Sequence, residues 1–238
     1  MNRLLTSCRV PMLVGLSLFI LGCAGSPSVP DTPEAEFTPL FNGENLDGWE
    51  VVGGDAAFSV DNGDIVGVCK NTKQNTFLRT TKTYRDFEFR CQFKWDTPGN
   101  SGIQYRSHQY PESDPDHPGR VYGYQFELDS SPRAWSGGLY EEGRRRWIVD
   151  LGGPDDEDDN NAERRTAVDL EGWNEIVIEC KGNRIRTWLN GVSIVDHADE
   201  DGEYPLMEGF FALQVHAGGT GRFRWRNPRI KAFPVEED

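Results

Sequence analysis

The chain has little that would build a zinc centre, a membrane bundle or a helical core. Its five cysteines include no Cys-x-x-Cys pair, so the spacing of a structural zinc site is missing. After the N-terminal two dozen residues no apolar run approaches the ~20 residues that cross a bilayer. Basic residues are the minority: 25 Lys and Arg stand against 39 Asp and Glu, a net charge of −14. With the acids spread along the chain, this balance argues against nucleic acid and against an anionic membrane surface as partners, and it suits a neutral ligand such as a sugar. There is no internal repeat, and no long stretch carries helical periodicity.

What is present begins with an export signal. Arg3 and Arg9 precede an apolar run, Val10 to Leu21, that closes on Gly22-Cys23. The run is too short for a mature membrane helix. A small residue immediately before a cysteine, after a hydrophobic core, reads as a lipoprotein signal peptide over residues 1–22 with Cys23 as the lipid anchor. No Asp follows Cys23, so in a Gram-negative cell the expectation is a lipid-anchored protein of the outer membrane, facing the periplasm or the surface. The lipid is then its only attachment to a membrane. Residues 23–36, rich in Pro and Ser, read as a flexible tether. The remainder divides into a domain over 37–233 and a short tail, 234–238, and is long enough for one sizeable core. Of the remaining cysteines, Cys69, Cys91 and Cys180, the last two fall on apolar strand faces. Export permits a disulfide, but the reading favours unpaired core thiols.

Strand periodicity dominates. Phe87, Phe89, Cys91, Phe93 and Trp95 alternate with Glu88, Arg90, Gln92 and Lys94, the pattern of a half-buried strand. Residues 174–181 and 184–189 alternate likewise, and Asn190-Gly191 turns the chain into 192–195, a strong hairpin signal. Further strands are expected over 57–60, 64–69, 76–79, 101–107, 121–129, 146–151, 208–216 and 222–232. Many short strands between Gly, Pro, Asn and Asp turns predict an all-β sandwich or jelly roll. Segments 108–119 and 152–162 read as loops. The acidic run Asp155 to Asp159 lacks the central Gly and closing Glu of a calcium loop, so it reads as solvated charge.

The period of two also sorts the polar residues. Tyr124, Phe126 and Leu128 share one face, with Gln125, Glu127 and Asp129 opposite. Ile103 and Tyr105 oppose Gln104, Arg106 and His108. Leu213 and Val215 oppose Gln214 and His216, and Phe223 and Trp225 oppose Arg222, Arg224 and Arg226. A wet sheet exterior accounts for such residues one at a time. As a set they combine acids, planar amides and a base that titrates near neutral pH, and on a concave sheet they converge. Trp135, Tyr140 and Trp147, near Arg145, add rings that stack on pyranose faces. For Trp135 and Trp147, core packing is an equally good reading.

At this point the residues resemble a family. Leu40-Phe41-Asn42-Gly43 with Leu46-Asp47-Gly48-Trp49, Asn100-Ser101-Gly102-Ile103 with Arg106, Trp173-Asn174, Leu189-Asn190-Gly191, Ala212-Leu213-Gln214 with His216, and Arg226-Asn227 with Ile230 occur in the order of the 3-keto-disaccharide hydrolase domain family. The resemblance covers about residues 37–233. It implies a concanavalin A-like jelly-roll β-sandwich with a concave polar sheet, and hydrolase or lyase action on a small carbohydrate already oxidised at C3. The acid and amide of Tyr124-Gln125-Phe126-Glu127 stand in exchanged order relative to the family's usual Tyr-Glu-x-Gln. Such chemistry needs a base at C2, a donor at the enolate oxygen and an acid at the leaving oxygen. The candidate catalytic residues are Glu127 or His216 as base, Arg106 for the enolate, and Asp129 to orient His216 or protonate the leaving group. Gln104, Gln125, Gln214, Trp135, Tyr140, Trp147 and Arg145 are candidates for substrate binding. The residues single out no cofactor, and a divalent metal on Glu127, Asp129 and His216 could replace Arg106. A non-catalytic carbohydrate-binding module is the competing expectation, since one fold serves both.

Overall fold

The computed structural model describes residues 26–153, 159–201 and 205–234. The expected signal peptide, Cys23 and most of the acidic run lie outside the described residues. A single 3-10 turn, Glu34–Glu36, leads into the strands β1 (Thr38–Pro39), β2 (Trp49–Gly53), β3 (Ala57–Asp61), β4 (Asp64–Lys70), β5 (Thr76–Thr80), β6 (Phe87–Thr97), β7 (Asn100–Gln109) and β8 (Val121–Asp129). After these come β9 (Leu139–Glu142), β10 (Arg146–Val149), the helix α1 (Asp159–Thr166), β11 (Asn174–Lys181), β12 (Arg184–Leu189), β13 (Val192–Ala198), β14 (Phe210–Val215) and β15 (Thr220–Ala232).

Two antiparallel sheets form the sandwich. The back sheet runs β13-β12-β11-β6-β15-β4-β3 with β1 added on β15, and the front sheet runs β10-β9-β8-β7-β14-β5-β2. The alternation of β6 buries Phe87, Phe89, Cys91, Phe93 and Trp95 between them, against Ile103, Tyr105, Tyr124, Phe126 and Leu128 of the front sheet. Phe211 of β14 is the meeting point, stacked on Phe89 at 4.6 Å and edge-on to Phe87 at 4.7 Å. Ring pairs at such distances add attraction beyond their buried area.

Each expected strand is present, with ends shifted by a few residues. Three elements had no periodicity to announce them: β1 and β9 are too short for alternation, and α1 occupies part of the expected loop 152–162. Strand β2 likewise escaped prediction. Cys91 and Cys180 are free and buried. In the β6–β11 ladder Cys91 faces Ile176 and Cys180 faces Phe87, four residues apart along the strand, roughly 13 Å at the rise of a strand and beyond disulfide reach.

Two sequence expectations are displaced. From Ser26 onward the expected free tether is laid along the back sheet: Trp188 Nε1 donates to the Pro27 carbonyl at 2.8 Å, Arg90 to the Pro30 carbonyl at 2.7 Å, and Arg229 pairs with Glu34 at 2.8 Å. Arg222, Arg224 and Arg226 do not join the front sheet's polar set. They decorate the outside of the back sheet, where Asp61, Asp64 and Asp96 pair with them.

Candidate functional site

The outer face of the front sheet carries a cleft of about 760 Å³. Its floor comes from β7 and β8, where Asn100, Gln125 and Glu127 point away from the core. Its wall comes from the 132–147 segment, with Trp135, Tyr140, Glu142, Arg144, Arg146 and Trp147. His216, just past β14, stands on the rim with His117 and Arg120.

Glu127 is the best-buried acid of the lining, 6% exposed. Asn100 Nδ2 donates to its Oε1, and Gln125 Nε2 donates to its Oε2 at 2.8 Å. Burial pushes this carboxyl up, the two amide hydrogen bonds pull it down, and the nearby Asp129 and Glu142 charges push it up again, leaving it at about 7. A carboxyl so tuned exchanges a proton readily at neutral pH.

The clamp is built into the sheet. Gly102 pairs with Glu127 across the β7–β8 ladder. A Cβ on Gly102 would come within 2.5 Å of the Gln125 side chain. The missing side chain is therefore what lets Gln125 lie flat and reach Glu127. Beneath it, Gln104 Nε2 donates to Gln125 Oε1 at 3.2 Å, and Gln125 Nε2 also approaches Gln214 Oε1 at 3.4 Å. Gln104 and Gln214 are fully buried and do not line the cleft. They support Gln125 instead of meeting a ligand themselves, a correction to their expected place as binding groups.

The aromatic wall is contiguous. Trp147 packs edge-on to Trp135 at 5.3 Å and to Tyr140 at 5.1 Å, and all three are half-buried. The core-packing alternative for Trp135 and Trp147 is thereby displaced, because both line the cleft. On the opposite rim His216 is exposed, and its Nδ1 lies 2.7 Å from the Ala217 carbonyl. A carbonyl only accepts, so Nδ1 carries the proton and Nε2 is left for a ligand.

Three expected site residues lie elsewhere. Arg106 is on the wrong side. Arg106 and Ser107 together oppose Gly123, a bulge between Tyr105 and His108, and Arg106 adopts φ +47°. The extra residue breaks the period of two and turns the guanidinium inward, where it donates to the carbonyls of Arg85 and Gly182, each at 2.7 Å, and to Asp86 at 2.8 Å. Arg145 is also turned away from the cleft. It pairs with Glu141 at 2.5 Å and Asp199 at 2.6 Å, and Asp199 accepts from the core-facing Tyr124 hydroxyl. Burial raises the Asp199 carboxyl, but Arg145 and Tyr124 hold it lower, at about 2. Its neighbours Arg144 and Arg146 line the cleft in its place. Asp129 is committed to Arg133 at 2.7 Å and to Ser131 at 2.8 Å. It does not line the cleft and reaches Glu127 through its charge.

The metal alternative fails the same geometric test. Among the described residues no three His, Cys, Asp or Glu side chains gather as ligands. Asp129 is taken by Arg133, and Glu127 is clamped by two amide donors, which favour a bare carboxylate over a coordinated one. In the sequence Asn100 stands out only as the first residue of Asn100-Ser101-Gly102-Ile103. The strand period could have placed it on the face of Gly102 and Gln104, but nothing local marked it as the partner of Glu127.

A family model for the 3-keto-α-glucoside-1,2-lyase-like domain matches residues 36–231. The chain belongs to this family. No curated protein matches it. Among solved structures it resembles a candidate glycosyl hydrolase from Parabacteroides distasonis (21% identity, TM-score 0.57, 85% of this chain and 98% of that one). A carbohydrate-binding module from Bacillus subtilis (18%, 0.52, 78% and 96%) and a β-glucanase from Bacillus licheniformis (13%, 0.53, 83% and 97%) share the architecture. At these identities the likeness concerns the fold, a sandwich used by both glycosidases and sugar-binding domains. The family and the fold together make this a carbohydrate-related domain.

Proposed function

We propose that the protein cleaves 3-keto-glycosides, with Glu127 as the base. The observation that carries this reading is a buried carboxylate on the cleft floor, held by Asn100 and Gln125 and tuned to about 7. In a 3-keto sugar the ketone acidifies the C2 proton. Glu127 takes that proton, and the C–H electron pair forms the enolate. As the C3 carbonyl re-forms, the double bond shifts to C1–C2 and the C1–oxygen bond breaks. The leaving oxygen takes the proton that Glu127 has gained, directly or through one water, which frees the carboxylate again, and a water that adds its hydroxyl at C1 and its proton at C2 completes net hydrolysis. Arg106 is too remote to hold the enolate oxygen. The guanidinium groups that the cleft offers in its place are those of Arg120 and Arg133. His216, fixed through Nδ1, presents Nε2 at the rim, where a leaving group departs. The three rings opposite position the sugar by stacking.

The test is aglycone release from a 3-keto-glucoside by the whole protein, with and without chelator. Wild type should turn over in both conditions, and Glu127→Gln should remain folded while losing ~10²–10⁴ in rate. Binding without turnover in the wild type would instead leave a carbohydrate-binding domain, the reading favoured by the aromatic wall alone. For location we propose the lipid-anchored envelope form. Cys23→Ser should then lose palmitate labelling, and labelling at the wild-type level would remove the anchor.

A further inference from the structure

The protein as a whole carries a charge of −14, yet its cleft is lined by four arginines, Arg120, Arg133, Arg144 and Arg146, against two carboxylates, Glu127 and Glu142. Counting Asp129 and Glu141, which pair with two of these arginines from beside the cleft, cations and carboxylates are equal in number here, so the site does not share the acidic excess of the whole chain. Three of the four are partly committed. Arg120 meets Glu142 at 3.3 Å, Arg133 meets Asp129 at 2.7 Å and covers the Trp135 ring at 3.9 Å, and Arg144 meets Glu141 at 3.2 Å. Arg146 is different. It is exposed, has φ +70°, and opens β10 immediately before Trp147. It also pairs across the hairpin with Glu141, one residue from Tyr140. The left-handed backbone is unusual for a residue with a side chain and persists only where the surrounding structure holds it. Arg146 lines the same cleft as the two rings that would carry a sugar.

We propose that the glycoside taken by this cleft is anionic, bearing a carboxylate or sulfate that Arg146, with Arg144, binds while the ring lies against Tyr140 and Trp147. A guanidinium fork matches the paired oxygens of either group. The inference refines the neutral ligand expected from overall composition: the acidic exterior sets the long-range field, but screening confines that field to about a Debye length, and the contact that a ligand meets at Arg146 is positive. It rests on the cleft being a sugar site, and not on the 3-keto chemistry.

Unoxidised glycosides separate the two questions, because they bind without reacting. Calorimetry would compare methyl glucoside, methyl glucuronide and methyl glucoside 6-sulfate. At low salt one or both anionic ligands should bind about tenfold tighter than the neutral one, a step on the order of one charge-assisted hydrogen bond, and added salt should narrow the gap. The carboxylate and sulfate arms identify which anion fits. Arg146→Asn, whose side chain tolerates the left-handed backbone, should abolish the advantage while leaving glucoside affinity unchanged. Arg146→Lys should keep part of it. Equal affinities in the wild type, an advantage that survives in Arg146→Asn, or no binding of either anionic ligand at millimolar concentration each overturns the proposal. Turnover of a 3-keto-glucoside without anionic preference would remove only this inference. Anionic preference without turnover would remove only the proposed chemistry.

Discussion

The Asn100 side-chain amide donates to Glu127 across the β7–β8 ladder, so a buried carboxyl is stabilised in its charged form by a neighbour on the next strand. Removing that donor leaves burial less opposed. Asn100→Ala should therefore move the pH midpoint of kcat/KM upward from about 7, by on the order of one unit, while the rate at high pH stays closer to wild type. A pH–rate profile of both proteins decides the matter. An unmoved midpoint would show that the titration seen in the rate is not that of Glu127.

The same carboxyl links stability to pH. Its ordinary value is 4.5 and its folded value about 7, so between these limits the native state keeps a proton that the unfolded chain has released. The resulting stability is complete below about 4.5, declines as pH rises through about 7, and is flat above. A shift of roughly 2.5 units corresponds to about 3.4 kcal/mol as an upper bound. Glu127→Gln cannot ionise and should gain on the wild type as pH rises. Urea unfolding at pH 5 and pH 8 would show a difference that widens at pH 8. A constant difference would mean that Glu127 is charged throughout.

Much of this arrangement is legible in the residue order, and the failures have one physical origin. Gln125 and Glu127 sit in a strand whose period is unbroken from Val121 to Asp129, and their outward direction follows from alternation. His216 follows from β14 in the same way. Arg106 fails because a two-residue bulge resets the period within β7, and nothing in Gln104-Tyr105-Arg106-Ser107 announces it. The Arg144-Arg145-Arg146 run fails because it lies in a tight hairpin between β9 and β10, where Gly143 and Arg146 both have positive φ and no strand rule orders the side chains. Gln104 and Gln214 are on the expected face, but Gln125 lies across them. Period assigns a face, and only packing decides which residue on that face is uppermost.

Gly102 provides a test of the clamp away from the carboxyl itself. Gly102→Ala places a methyl group where the Gln125 side chain now lies, 2.5 Å from its Cδ. Gln125 must lift, and its 2.8 Å hydrogen bond to Glu127 is lost. Activity should fall by about tenfold or more, since small misplacements of catalytic groups carry large rate costs. Stability should fall by ~1–3 kcal/mol from overpacking. Gly102→Ala combined with Gln125→Ala should recover much of the stability, because the methyl then has room, but not the rate. Failure of the second change to restore stability would place the clash elsewhere.

Arg106 separates structure from chemistry most sharply. Its guanidinium is 1% exposed and closes the sandwich edge, joining Asp86 to the carbonyls of Arg85 and Gly182. Arg106→Ala strands a carboxylate and two carbonyls, and breaking a buried pair by removing one partner costs about 3–5 kcal/mol. A group that held the enolate oxygen would behave in the opposite way, with a loss of ~10²-fold or more in kcat and little change in stability. The expected result is a large drop in the urea midpoint, with kcat/KM within about tenfold of wild type at a temperature where circular dichroism shows the variant still folded. Because Asp86 accepts from Arg106 at 2.8 Å, Asp86→Ala should destabilise in the same direction, and the double variant should cost less than the sum of the two. Additive losses would mean that the pair contributes nothing to closing the edge. A collapse in kcat with the urea midpoint unchanged would return Arg106 to the reaction itself.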